Sequence, residues 1–208
     1  MPSMALFHSV SLILLCLFIS FHFTESIKFL SSYQIGKSVS TTTSSNNEKS
    51  SSKERCFIAI KPDGVQRNLI GEIISRFEQK GLKLRAIKLV IPDSVIVKKQ
   101  YASLQNASFF SDIMEFFTSG PIVAMVWEGE NIITVARRLV GKTHPEDAEP
   151  GSIRGDFCSG KGRNLVHASD SIDSADREIA IWFRDEELVK YSKSLDQWVH
   201  PPPSRSPK

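Results

Sequence analysis

The chain has 208 residues, 41% of them hydrophobic and 24% charged, which is typical of one soluble domain with an extension, because a domain commonly takes about 100–200 residues. A formal net charge of +3, with basic and acidic residues interspersed, does not indicate a protein that binds specific nucleic acid. Three cysteines, without the spacing of a zinc site, argue against a disulfide scaffold or a zinc module.

Residues 1–26 contain a long apolar run and are predicted to be a signal peptide or a signal anchor. The core of this run, residues 12–19, fits the roughly 7–15 residues of a signal-peptide core but is shorter than the roughly 20 apolar residues of a membrane span. Because residues 1–9 lack Lys and Arg, a cleaved signal, an uncleaved anchor and a mis-assigned N-terminus all stay open. No other transmembrane segment is predicted.

Residues 27–53 are rich in Ser and Thr and are predicted to be a disordered linker or a transit segment, since they have little apolar surface to bury. A signal followed by a transit segment would suit a plastid of secondary origin. A signal alone predicts a secreted or endomembrane protein, and a mis-assigned N-terminus predicts a cytoplasmic one. Asn106-Ala107-Ser108 is a glycosylation sequon, which matters only on the secretory route.

The folded domain is predicted to span residues 54–199, with a disordered tail at 200–208. It begins with an apolar strand at 56–60 and a turn at 61–64, and apolar residues at helical spacing then predict a helix that ends at Gly81. A half-exposed strand, two helices, a buried strand and a further helix follow in the order 82–90, 92–104, around Ile113, 122–127 and 132–139. This order predicts an α+β or α/β fold with helices packed on a sheet.

Residues 142–170 are rich in turn formers and poor in periodic apolar residues, which is typical of a functional loop. The stretch at 155–162 fits the phosphate-binding P-loop pattern as far as its lysine. Gly162 stands where that pattern needs Ser or Thr, and neither a strand before it nor a helix after it is predicted. The sequence therefore argues against a P-loop.

Residues 164–170, with the sequence NLVHASD, are similar to the active-site signature of the nucleoside diphosphate kinase family. Three further segments resemble motifs of that family in the same chain order: KPDGVQR at 61–67, GPIVAMVWEG at 120–129 and GSIRGDF at 151–157. The resemblance implies a single ferredoxin-like α+β domain, with an antiparallel sheet covered by helices. It also implies a ping-pong enzyme that moves the γ-phosphate of a nucleoside triphosphate to a histidine and then to a nucleoside diphosphate.

The resemblance assigns catalytic roles to His167 as the nucleophile, to Glu178 as the acceptor that holds the other ring nitrogen, and to Ser169 and Lys61 beside them. Nucleotide binding is assigned by the same resemblance to Lys61, Tyr101, Phe109, Arg137, Thr143, Arg154 and Asn164. Among these, Phe109 would stack on the base, although its sequence context also allows a core position. Mg²⁺ would arrive with the nucleotide, and no metal-ligating residue of the chain is predicted.

The resemblance also implies a homo-oligomer, either a hexamer or a tetramer. Two departures from the family pattern concern the base site: Lys161 stands where a small apolar residue is usual, and Ala107 where an arginine is common. They keep a second hypothesis open, in which the chain is a catalytically weak nucleotide-binding or scaffold protein of the same fold.

Overall fold

The computed structural model describes residues 54–160 and 162–199 of the chain. Its strands are β1 (Glu54–Ile60), β2 (Lys83–Val90), β3 (Ile122–Gly129) and β4 (Val166–Ala168). Within the described ranges they form one four-stranded sheet of order β2-β3-β1-β4, in which all neighbouring strands are antiparallel. The predicted signal segment, the Ser/Thr-rich segment, Lys161 and the predicted tail lie outside these ranges.

Helices and short 3₁₀ turns connect the strands. The helices are α1 (Pro62–Gln66), α2 (Ile70–Gln79), α3 (Ser94–Gln100), α4 (Phe110–Thr118), α5 (Ile132–Val140), α6 (Ile153–Phe157), α7 (Ile172–Trp182) and α8 (Asp196–Val199). The 3₁₀ turns are Ala102–Leu104, Pro145–Asp147 and Asp185–Glu187. An antiparallel sheet covered by helices in one compact unit confirms the ferredoxin-like α+β prediction and excludes the α/β alternative.

Helices cover both faces of the sheet, which explains why β1 and β3 are almost continuously apolar. On one face, Ile58 and Trp127 pack with residues of α2 and α5, including Phe77 and Ala136. On the opposite face, Phe57 packs with residues of α3, α4 and α7. Successive strand residues point to opposite faces, so each strand contributes to both cores. The sheet is therefore the central layer of the domain, with one core on each of its faces.

The structure corrects three local predictions. The segment 61–64, predicted as a turn, begins α1, where proline at the first helical position has no N–H to leave unsatisfied. The helix predicted over 92–104 ends at Gln100 and is followed by a 3₁₀ turn. The segment 142–170, predicted to be irregular, contains α6 and β4. None of these short elements has the length over which periodicity becomes visible.

The edge strand β2 is partly covered by the C-terminal part of the described chain. Lys83 of this strand is buried, and its ammonium lies 3.0 Å from a carboxylate oxygen of Asp196 and donates to the Tyr191 carbonyl. Val189 N–H donates to the Arg85 carbonyl at the same edge. Two apolar side chains of β2 stay exposed, Ile87 at 47% and Leu89 at 62%. Among the described helices, none combines the length and apolar character needed to cross a membrane.

Candidate active site

His167 lies on β4, opposite Ala59 of β1. Its two strand neighbours, Val166 and Ala168, belong to the core on one face of the sheet, so the alternation of a strand turns His167 toward the other face. There its ring meets Phe57 and Tyr101 at centroid distances of 5.9 and 6.1 Å. The short strand therefore presents the histidine to α3 and α7.

A left-handed residue immediately before β4 sets this geometry. Leu165 has φ of 63°, which is uncommon for a residue with a branched side chain. Its carbonyl accepts from Lys61 N–H at 2.8 Å, and its own N–H donates to a carboxylate oxygen of Asp63 at 3.0 Å. These two hydrogen bonds therefore hold the turn at Leu165 against the segment 61–63 and place Lys61 beside β4.

One ring nitrogen of His167 is held by a buried carboxylate. Nε2 lies 3.0 Å from Oε2 of Glu178, which also accepts from the Ser169 hydroxyl at 2.6 Å. Glu178 is 4% exposed and Ser169 fully buried, whereas the His167 side chain keeps 20% exposure. Nδ1 has no hydrogen-bond partner among the described residues. A carboxylate accepts only, so it favours the tautomer with its proton on Nε2 and a bare Nδ1.

A cavity of about 440 Å³ opens beside His167. Most of the predicted site residues line it: Lys61, Tyr101, Arg137, Thr143, Arg154, Asn164, His167 and Glu178. Ser169 lies behind Glu178 rather than in the wall. A larger cavity of about 880 Å³ runs along α5 and shares only Arg137 and Asp170 with the first. The smaller one holds the histidine and is the better candidate, since chemistry needs titratable groups that converge.

Lys61 and Asn164 meet across the cavity wall. The Lys61 ammonium donates to Oδ1 of Asn164 at 2.6 Å, and the Asn164 amide donates to the Thr143 carbonyl at 2.9 Å. Burial, together with the positive charge of Arg154, lowers the pKa of Lys61 to about 8. A bound anion would therefore stabilise the charged form of Lys61, because it would replace solvation that burial removes.

We expect the affinity for the nucleoside triphosphate that the family resemblance implies to fall as the pH rises through about 8. A lysine with a lowered pKa is charged below that value and neutral above it, so the cavity loses one positive charge there. The loss should weaken binding on the order of tenfold, with its midpoint raised in the complex because phosphate favours the ammonium. Calorimetric titration between about pH 6 and 10 measures this. An equal pH dependence in Lys61→Gln would contradict the assignment.

Arg154 differs from the expectation that it offers a free guanidinium to phosphates. Its three guanidinium nitrogens donate to the carbonyls of Asn164, Gly141 and Val166 at 3.1, 2.9 and 2.6 Å, and the residue is 4% exposed. Burial and the neighbouring charge of Arg137 lower its pKa to about 10. Arg154 thus holds the loop together and contributes charge to the wall. Arg137, which is exposed on α5, has more freedom to contact a ligand.

Phe109 does not line the cavity, although it was predicted to stack on a base. It is 51% exposed at the start of α4, which excludes the alternative of a core position. Ala107 lies half-buried in the turn before it. The other departure, Lys161, falls outside the described residues.

Several residues of the cavity wall were not predicted from the sequence, among them Gln100 and Arg177. Each precedes a predicted site residue in the chain, Tyr101 and Glu178 respectively, but adjacency along a helix does not place two side chains on one face. Within residues 54–160 and 162–199, no group of three His, Cys, Asp or Glu side chains is arranged to hold a metal ion. Asp170 and Glu178 are the carboxylates of the cavity wall.

Comparison with known proteins agrees with this geometry. The family model "Nucleoside diphosphate kinase" matches residues 54–188. Nucleoside diphosphate kinase A of Canis lupus familiaris is 52% identical over 147 residues, and that of Homo sapiens is 50% identical over 147 residues. Each alignment covers 71% of this chain and 97% of the relative.

Solved structures agree as well. The nucleoside diphosphate kinase of Halobacterium salinarum in complex with CDP matches with a TM-score of 0.70 and 45% identity. A nucleoside diphosphate kinase family protein of Babesia bovis matches with a TM-score of 0.69 and 47% identity. Both cover 71% of this chain and 99% of the solved chain. The chain belongs to the nucleoside diphosphate kinase family and is an enzyme of that activity.

Proposed function

We propose that this nucleoside diphosphate kinase transfers the γ-phosphoryl group of a nucleoside triphosphate to a nucleoside diphosphate by a ping-pong mechanism, through a phosphohistidine on His167. Family membership supports the overall reaction. The observation that carries the mechanism is the contact between Nε2 of His167 and Glu178, which leaves Nδ1 as the nucleophilic nitrogen.

In the first half-reaction, the Nδ1 lone pair attacks the γ-phosphorus. The N–P bond forms, the bond from phosphorus to the β,γ-bridging oxygen breaks, and the electron pair leaves on the nucleoside diphosphate. The proton on Nε2 stays on the ring, where the Glu178 carboxylate stabilises the positive charge that develops. A terminal oxygen of a second diphosphate then attacks the phosphohistidine, and its N–P bond breaks to return the pair to Nδ1.

Phosphoryl transfer needs positive charge around the oxygens of the transferred group more than it needs further covalent help. We assign that charge to Lys61, Arg137 and Arg154, with Thr143 and Tyr101 as neutral contacts. Burial and the nearby Glu178 raise the pKa of Tyr101, so its hydroxyl stays protonated and able to donate. Asn164 is assigned to the sugar.

Phe109 is assigned to the base, because an exposed aromatic face stacks on any base without reading its edges. Lys61 is further assigned to the ribose 3′-hydroxyl.

Mg²⁺ is proposed to enter with the nucleotide. The described part of the chain offers a wall of cations and amides rather than a cage of carboxylates, which fits an ion held by phosphate oxygens and water. When bound, Mg²⁺ would neutralise phosphate charge. The residues that position the phosphates for it are Lys61 and Arg137.

The enzyme is proposed to assemble as a homo-oligomer, a hexamer or a tetramer, with the uncovered part of β2 as one contact. Ile87, Leu89 and Ile91 expose 47%, 62% and 73% of their surface at this sheet edge, and an exposed apolar edge strand favours pairing with another chain. We expect Leu89→Lys to lower the assembled mass toward the 23.3 kDa monomer. Sedimentation analysis measures this, and an unchanged mass would exclude the edge as a contact.

The chain is proposed to enter the secretory pathway through its signal segment. Asn106 of the sequon is exposed in the turn before α4, where a glycan would lie close to Phe109. When the full chain is made in eukaryotic cells, we expect an N-terminus near position 26. N-terminal sequencing checks this, and an intact N-terminus in a cytosolic protein would contradict the proposal.

Label transfer tests the mechanism. The full chain is incubated with γ-labelled ATP, freed of nucleotide by gel filtration and then given GDP. We expect label on the protein after the first step and on GTP after the second. A protein that never carries label, but transfers phosphate when both nucleotides are present, would contradict the ping-pong scheme.

A further inference from the structure

Gln100, the last residue of α3, lies against the nucleophile. Its amide nitrogen is 3.2 Å from Nε2 of His167, the same ring nitrogen that faces Glu178. The Gln100 residue is 4% exposed, so water does not compete freely for this contact. Nε2 therefore has two neighbours, an amide and a carboxylate.

Trp182 fixes which end of the amide faces the ring. The indole N–H, which can only donate, lies 2.8 Å from Oε1 of Gln100. The carbonyl end of the amide is thereby held at Trp182, and the NH₂ end is turned to His167. Trp182 itself is held in the core, stacked on Phe57 at a centroid distance of 5.6 Å.

Gln100 and Glu178 make opposite demands on Nε2. The carboxylate accepts a hydrogen bond and needs the proton on Nε2, which leaves Nδ1 bare. The NH₂ group donates and needs a lone pair on Nε2, which places the proton on Nδ1. A single nitrogen of a neutral imidazole satisfies one of these partners at a time.

We propose that Gln100, oriented by Trp182, is a positioning residue that competes with Glu178 for Nε2 of His167 and holds part of the nucleotide-free enzyme in the tautomer that cannot attack. The bond to the charged Glu178 is the stronger one, so the reactive tautomer remains the major form. The consequence for catalysis rests on the proposed role of His167, whereas the tautomer balance does not.

The test is ¹⁵N NMR of the nucleotide-free full chain with ¹⁵N-labelled histidine, at an alkaline pH where imidazole is neutral. The spectrum of His167→Ala identifies the signals of His167. In the wild type, the Nδ1–H tautomer should be detectable. Gln100→Met keeps the volume and removes the donor, and it should raise the ratio of Nε2–H to Nδ1–H about fivefold, the effect of one net hydrogen bond.

Trp182→Phe provides a second variant that leaves Gln100 in place. It keeps an aromatic ring on Phe57 and removes the indole donor, so the amide is able to turn its carbonyl to Nε2–H and the ratio should rise again. Gln105→Met, the same substitution at an exposed position, should leave the ratio unchanged. A wild type without detectable Nδ1–H tautomer, or a ratio that stays constant or falls in Gln100→Met, would overturn the proposal.

Phosphorylation rates separate this proposal from the proposed function. In a single turnover with γ-labelled ATP, Gln100→Met should react at least as fast as the wild type, because more of its His167 is ready to attack. A slower rate at an unchanged tautomer ratio would show that Gln100 only supports the fold. If the tautomer ratio rises in Gln100→Met but the wild type never becomes labelled, the phosphohistidine is refuted and the Gln100 assignment stands.

Discussion

His167→Ala should lower phosphoryl transfer by at least about 10⁵-fold, which is the scale of losing a covalent nucleophile. The variant should still fold, because the side chain is partly exposed and Glu178 keeps its hydrogen bond from Ser169. It should also still bind nucleoside triphosphate, since the cationic wall is untouched. Steady-state transfer from ATP to GDP measures the loss, and calorimetry measures the binding.

His144→Ala is the matched control for this prediction. His144 is exposed in the same long loop, and its side chain makes no capping bond to the 3₁₀ turn that follows it. Its substitution should change the rate less than about twofold, as is usual for surface positions. Substantial transfer by His167→Ala would mean that the phosphate travels by another route.

Glu178→Gln should lower transfer by about 10³–10⁴-fold, on the scale seen when the carboxylate that orients a catalytic histidine is replaced by an amide. An amide at this position is able to present NH₂ to Nε2 and favour the tautomer with the proton on Nδ1. The substitution also removes the negative charge of Glu178, which stabilises the positive charge on the imidazole ring as the N–P bond forms. The single-turnover phosphorylation rate measures this effect, separately from nucleotide binding.

Glu186→Gln makes the same substitution at an exposed residue beyond α7 and should leave the rate unchanged. If Glu178→Gln transferred phosphate at the wild-type rate, Glu178 would be a structural partner of Ser169 and no more. If it lost binding and rate together, its role would lie in forming the cavity rather than in orienting His167.

The long, periodic elements of the fold could be predicted from the sequence because the spacing of their apolar residues follows the face that each element buries. The helix predicted to end at Gly81 and the strand at 122–127 correspond to α2 and β3. β4 could not be predicted, since three residues carry no period. It exists because it pairs with β1, more than a hundred residues earlier in the chain, and pairing at that range leaves no local signal.

The candidate site was predicted by resemblance to family motifs, and the structure adds how the motifs depend on one another. Asp63 holds the Leu165 turn, and Lys61 reaches Asn164. The guanidinium of Arg154 donates to backbone carbonyls, and these contacts could not be predicted from residue type and spacing. Gln100 escaped prediction because an isolated glutamine in a helix has no pattern.

The phosphohistidine mechanism is tested by locating the phosphate on the enzyme. The full chain, with ¹⁵N-labelled histidine, is phosphorylated by ATP and Mg²⁺ and studied by ³¹P and ¹⁵N NMR. Because Glu178 holds Nε2, we expect one acid-labile, base-stable phosphate bonded to Nδ1 of His167, absent in His167→Ala and transferred to GDP. Phosphate on Nε2, on Ser169 or on no residue at all would contradict it.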